Sequence, residues 1–290
     1  MNELHMLNVG RADCSILLLD TEQGRRTAVI DGGELSYQGH QPLLEFLEDR
    51  DIHEIDLLIL THLHQDHFGG FHQLIDRVAV RRAAAPCGDL LFNERVYPVF
   101  GDREFYREYH RIFQYFQRSG TELMTSVSCG GRSFTFGEST LKCLYPRADS
   151  PMRSVTWAQA LCRPDLTEEE LDTALERHKR SCNEDSSVWL LQCRGADVAL
   201  FTGDSTDAVL RRALEENGPV RPEIQKLSHH AIGQGYFSEE TQKLIFPKNL
   251  VVSVDENHYN EEMRMVVDRL AAAGGSQVHY TFRGPVAYHF

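Results

Sequence analysis

The chain has 290 residues, 41% of them hydrophobic and 25% charged, which is ordinary globular composition. A formal net charge of −13 argues against a general nucleic-acid-coating role, because such surfaces bind through basic patches that neutralise phosphates. The longest apolar runs, SILLL (15–19) and LLIL (57–60), are too short to cross a bilayer.

In chain order, the first elements are three strand-like pieces, LHMLNVG (4–10), CSILLLD (14–20) and TAVIDGG (27–33). The opening MNELHMLNVG has no secretion-signal pattern, so a cytoplasmic protein with no membrane segment is expected. A helical stretch, QPLLEFLEDR (41–50), precedes DLLILTH (56–62), whose continuous apolar run suits a strand buried on both faces. GGFHQLIDRV (69–78) reads as a short helix and VAVRRAAA (78–85) as a strand. Strands followed by alternating helices and strands predict a layered α/β domain.

The middle third is less regular. EFYREYHRIFQYFQRS (104–119) sets Phe105, Tyr109, Ile112, Phe113 and Phe116 at helical spacing, which reads as core or lid packing before it reads as a base-stacking platform. Arg81, Arg82, Arg103, Arg107 and Arg111 read as a solvated face, with a basic groove as the alternative. STLKCLYP (139–146) is a strand, and LTEEELDTALERHKR (166–180) begins with the capping-box pair Thr167 and Glu170. After it come strands SSVWLLQC (186–193) and DVALFTGD (197–204), and a helix STDAVLRRALEEN (205–217) capped by Ser205 or Thr206. EIQKLSHH (223–230) is a strand ending in two histidines, and strands and helices alternate to residue 290. No linker-like tract interrupts the chain, so one domain over 1–290 is expected. The seven cysteines show no CxxC spacing and read as reduced, buried thiols.

The segment THLHQDHFGG (61–70) carries the chemistry. On an extended strand end, residues two apart project to the same side, so His62 and His64 can chelate one ion. The chain then bends, which brings Asp66 and His67 toward a second ion. Gly69 and Gly70 allow a turn where side chains would crowd the metals. Imidazole with carboxylate suits Zn²⁺ or a related first-row metal such as Mn²⁺, and a set without sulfur argues against purely structural zinc. Farther along, FTGD places Asp204 just after a strand, where its carboxylate can bridge two ions, and SHH offers His229 and His230.

Together, HxHxDH, TGD and HH resemble the metallo-β-lactamase superfamily. The resemblance is narrower to the soluble hydrolase domain of DNA-uptake competence proteins and its stand-alone relatives. NVGRAD (8–13), IDGG (30–33), NEDSSVWLL (183–191) and the tail YTFRGPVAYHF extend it, with 86–180 as a variable helical insertion. The resemblance implies a four-layer αββα sandwich with its metals at one edge. His62 and His64 would bind the first metal and Asp66 and His67 the second, with Asp204 bridging. His229 is favoured over His230 to complete the second site. Asp31 would steady the motif loop from behind, and Asn183, Glu184 or Asp185 would stand where other members place a further histidine. HHAIG replaces the usual HHG, and GRAD the usual GQGD.

The resemblance implies a hydrolase of phosphodiester bonds, a nuclease or nucleotide phosphodiesterase, working through a metal-activated hydroxide held between two divalent ions. Asp66 and Asp204 would hold the reacting centre, and His258 is the candidate proton donor, or else an exposed loop histidine. The partner would be a small anionic or nucleotide-like substrate, with long nucleic acid left open. Hydrolysis of a small ester, lactone or amide is the alternative, and a metal-binding module with little turnover is another.

Overall fold

The computed structural model describes residues 1–96, 105–233, 236 and 238–290. The chain begins β1 (Glu3–Met6), β2 (Cys14–Thr21), β3 (Gly24–Gly32), α1 (Pro42–Glu48), β4 (Glu54–Ile55), β5 (Leu57–Ile59) and α2 (Gln65–Phe68). Next come β6 (Ala79–Val80), β7 (Arg82–Ala85), α3 (Phe105–Arg118), β8 (Glu122–Thr125), β9 (Ser133–Phe136), β10 (Ser139–Tyr145), α4 (Arg153–Leu161) and α5 (Glu168–Ser181). The last part holds β11 (Val188–Cys193), β12 (Ala196–Phe201), α6 (Asp207–Asn217), β13 (Ile224–Lys226) and α7 (Glu239–Gln242). It ends with β14 (Asn249–Val252), α8 (Glu261–Gly274), β15 (Gln277–Tyr280) and β16 (Val286–His289).

Among the described residues, seven strands form one sheet in the order β16-β1-β2-β3-β5-β7-β8 and seven form a second in the order β15-β14-β13-β12-β11-β10-β9. The apolar runs explain the layering. Along β2, Leu17 and Leu19 enter the core between the sheets, while Ile16 and Leu18 pack against the helices outside. β11 behaves alike, with Trp189 and Leu191 inward and Val188 and Leu190 against α6. Side chains alternate faces along a strand, so a continuous apolar run serves two interfaces at once. Burying one such Leu or Val contributes about 1.5–3 kcal/mol. Helices cover both outer faces, and the expected αββα sandwich is the fold.

The predicted caps are present: Thr167 and Glu170 exchange hydrogen bonds at the start of α5, and Thr206, of the two candidates, caps α6. The segment 86–180 needs a correction. It is helical at α3, α4 and α5, but between them it supplies β8 to one sheet and β9 and β10 to the other. The short alternating stretch SFTF (133–136) pairs with β10 because its phenylalanines, Phe134 and Phe136, complete the intersheet core. GGFHQL (69–74) forms a 3₁₀ turn in place of the expected helix.

The aromatic stripe of α3 is core. Tyr109, Ile112, Phe113 and Phe116 are all buried with Phe68 and Phe71 against the outer face of the first sheet. Arg103 and the side chain of Phe105 lie outside the described residues. The remaining arginines of the proposed groove are engaged locally: Arg81 with Glu54, Arg107 with Glu94, Arg111 with Glu108, and Arg82 with the Asp56 carbonyl.

Candidate metal centre

The loops that follow β3, β5, β12 and β13 meet at one edge of the sandwich, so both sheets contribute. After β5 the chain passes Thr61, which is fully buried. Its N–H donates to Asp31 Oδ1 and its hydroxyl to Oδ2, each at 2.8 Å. Asp31 thereby ties the motif loop to the end of β3. Gly70 must be glycine for the loop to lie so close: a Cβ there would meet the Gly32 carbonyl oxygen at 1.9 Å.

His67 Nδ1 also faces Asp31 Oδ2 at 2.8 Å and donates to it, which turns Nε2 toward the site. That Nε2 is buried with no hydrogen-bond partner. Buried ring nitrogens are ordinarily satisfied, so an orphan aimed at carboxylates fits a metal ligand.

Three groups of potential ligands form: Asp13, Asp31 and His67 gather on the Nδ1 side of His67, and the other two make up the centre. Asp66, His67, Asp204 and His230 each bring one atom within 4.8 Å of the others, and His62, His64 and Asp204 do the same. Asp204 belongs to both. Its Oδ1 lies 3.5 Å from His67 Nε2 and 3.7 Å from His230 Nε2, while Oδ2 lies 3.7 Å from His62 Nε2. The imidazole and carboxylate donors suit first-row divalent ions.

The preference for His229 is corrected. His230 donates from Nδ1 to the Ser253 carbonyl at 2.9 Å, and its Nε2 stands 3.2 Å from Asp66 Oδ2. His229 instead bonds Ile232 O through Nδ1 at 2.7 Å and stacks on Tyr236, and only its backbone N–H reaches Asp204 Oδ1, at 3.1 Å. The cause is local: His229, His230 and Ala231 run through left-handed conformations with φ of 47°, 53° and 62°. That turn swings the second histidine inward. Ala231 takes, with its methyl, a conformation that glycine adopts at no cost.

The segment after α5 also departs from expectation. Asp185 does not reach the ligands; its Oδ2 accepts the Ser154 N–H at 2.6 Å at the start of α4. Asn183 stands at the flank, donating to the Tyr236 hydroxyl at 2.8 Å. Ser186, not singled out from sequence, is the residue that reaches the site. Its hydroxyl accepts the Asp204 N–H at 3.0 Å and lies 3.5 Å from His62 Nδ1. Neither Asn183 nor Asp185 joins His62 and His64. His258 sits outside both groups, half-exposed, with Nδ1 2.7 Å from Asp255 Oδ1.

Sequence reasoning also missed Lys226. It lies at the end of β13 and is buried, where a lysine in a strand reads as a surface residue. Its ammonium pairs with Asp13, donates to Gly203 O at 2.9 Å and stands 3.6 Å from Asp204 Oδ1. The one available signal was its place in a short strand between Ile224 and Leu227, three residues before the histidine pair.

Protonation follows from these contacts. Burial and the neighbouring rings of His67 and His64 push the His62 pKa well down, keeping it neutral as a ligand must be. Burial opposes charge on Asp204, but His230, His67 and Lys226 outweigh it and hold the carboxylate ionised. Burial likewise opposes charge on His67, yet Asp204, Asp31 and Asp66 raise its pKa well above the ordinary value. The pocket's field is thus built to hold positive charge. At the rim, burial and then Asp66 raise the Glu34 pKa, with Asp255 adding to it while Arg11 and His258 oppose.

The fold is an αββα sandwich, with this paired centre of histidines and aspartates at one edge. Residues 9–122 match the family model of the metallo-beta-lactamase superfamily. Over 100 residues it is 33% identical to ComE operon protein 3 of Bacillus subtilis (strain 168), a match spanning 30% of this chain and 13% of that protein. Two solved structures share the fold. Igni18, a metallo hydrolase from Ignicoccus hospitalis, aligns over 99% of both chains at 15% identity with a TM-score of 0.52. CmlA, a diiron β-hydroxylase from Streptomyces venezuelae, aligns over 99% of this chain and 54% of its own at 15% identity with a TM-score of 0.53. Among the described residues, no helix is long and apolar enough to cross a membrane.

Proposed function

We propose that the protein is a two-metal phosphodiesterase acting on a small anionic or nucleotide-like substrate, with zinc as the metal. The observation that carries this reading is Asp204, whose two oxygens face the two ligand groups separately. His62, His64 and Asp204 would hold one ion, and Asp66, His67, His230 and Asp204 the other. When bound, two divalent ions lower the pKa of water and polarise the scissile oxygen. Asp31 and the Ser253 carbonyl fix the His67 and His230 rings so that both Nε2 atoms face inward. His258, steadied through Nδ1 by Asp255, keeps Nε2 for passing a proton to the leaving group. The sequence resemblance to the hydrolase domain of competence proteins supports the phosphodiester choice.

A second reading, a neutral ester or lactone as substrate, is favoured by the acidic rim, where Glu34, Asp66 and Asp255 interact. The discriminating experiment is metal analysis, iron included, with assays on a phosphodiester, a lactone and single-stranded DNA. Asp204→Ala and His64→Ala serve as controls. Turnover of the phosphodiester that both substitutions abolish is expected. Turnover confined to the lactone overturns the phosphodiesterase reading, and a protein that takes up no metal overturns the centre itself.

A further inference from the structure

Four carboxylates, Asp13, Asp31, Asp66 and Asp204, crowd the two ligand groups, and three of them are buried. Among the described residues, Lys226 is the only lysine or arginine within 4 Å of any of them. It is 3% exposed. An ammonium has three donors and must use them when buried. One goes to Gly203 O, one to Asp13, and the third side of the group faces Asp204 Oδ1 at 3.6 Å. Asp13 in turn lies 3.7 Å from His67 Nδ1 and 3.6 Å from His230 Nδ1, behind the second ligand group. Lys226 therefore touches both the floor of that group and the oxygen with which Asp204 enters it.

We propose that Lys226 is the pocket's resident counter-charge: a positioning residue that keeps Asp13 and Asp204 in place before metal arrives and sets how tightly metal is then held. The proposal rests on the two-metal reading above. Two effects of opposite sign follow from one fixed cation. It offsets the mutual repulsion of buried carboxylates, so the pocket is assembled in the metal-free chain. It also repels any divalent ion entering beside it, so affinity is lower than the ligand set alone would give. In a buried site, one unit charge a few ångströms away changes an ion's affinity by about tenfold or more.

The test uses the full chain stripped of metal, comparing wild type with Lys226→Met, Lys226→Arg and the double variant Asp13→Asn/Lys226→Met. Zn²⁺ affinity and stoichiometry are read by competition with a chromophoric chelator, and metal-free melting by circular dichroism. Lys226→Met is expected to melt at lower temperature without metal yet bind Zn²⁺ about tenfold or more tightly, still two per chain. Lys226→Arg should behave as wild type. The double variant removes one charge of each sign and should return toward wild-type affinity. A folded Lys226→Met that binds Zn²⁺ equally or more weakly overturns the proposal. Should that variant not fold, a folded double variant whose affinity falls far below wild type overturns it as well. If wild type itself takes up no Zn²⁺, the two-metal reading has failed and the proposal falls with it, whereas wild type binding two ions isolates the failure to Lys226.

Discussion

Asp185 gives the sharpest quantitative test of the electrostatics. Burial pushes its carboxyl pKa from 3.8 to about 6, although Ser154 opposes the shift through its hydrogen bonds. In the unfolded chain the proton leaves near 3.8, and in the folded protein near 6. Between those values the folded state holds the extra proton, so raising the pH through this window weakens the fold. The accumulated cost is about 3 kcal/mol at neutral pH. Asp185→Asn keeps an acceptor for the Ser154 N–H and abolishes the titration. The variant should therefore match wild type near pH 4 and exceed it by about 3 kcal/mol at pH 8. Urea denaturation of the metal-stripped proteins, compared pairwise at each pH, measures this difference with other titrating groups cancelled. A difference that stays flat between pH 4 and pH 8, or a variant weaker than wild type at pH 8, refutes the assignment.

Thr61→Val deletes the hydroxyl that donates to Asp31 at 2.8 Å inside the core, and should cost about 1.5–3 kcal/mol in chemical denaturation, far above the effect of an exposed threonine. Gly70→Ala drives a methyl into the Gly32 carbonyl, so the variant should show a melting temperature well below wild type or no folded protein by circular dichroism. Saturating the metal-free protein with Zn²⁺ at about a hundred times its Kd should add about 2.7 kcal/mol and raise Tm by roughly 5–10 °C, a gain that chelator reverses.

Legibility from sequence tracked how local each feature is. HxHxDH could be read because strand geometry alone sets which of its residues share a side. The sandwich could be read because runs such as SILLL need two apolar interfaces. The choice between His229 and His230 could not, since both follow the same strand and a left-handed turn decides which ring faces inward. NEDSS was ambiguous for a related reason. The end of α5 and the 3₁₀ turn at Asn183–Asp185 rotate the segment, giving Asp185 to α4 and Ser186 to the site. Lys226 was out of reach because its partner Asp13 is more than two hundred residues away and becomes its neighbour only when the two sheets stack.

That stacking has a consequence of its own. His62, His64, Asp66 and His67 follow a strand of one sheet, while Asp204 and His230 follow strands of the other. An ion held by both sets is a rivet across the seam of the sandwich. Its grip depends on how the two sheets are spaced and slid against each other, which the intersheet core around Trp189 and Phe201 fixes. Metal affinity is thus a gauge of sheet alignment, and changes buried far from any ligand will register at the rivet.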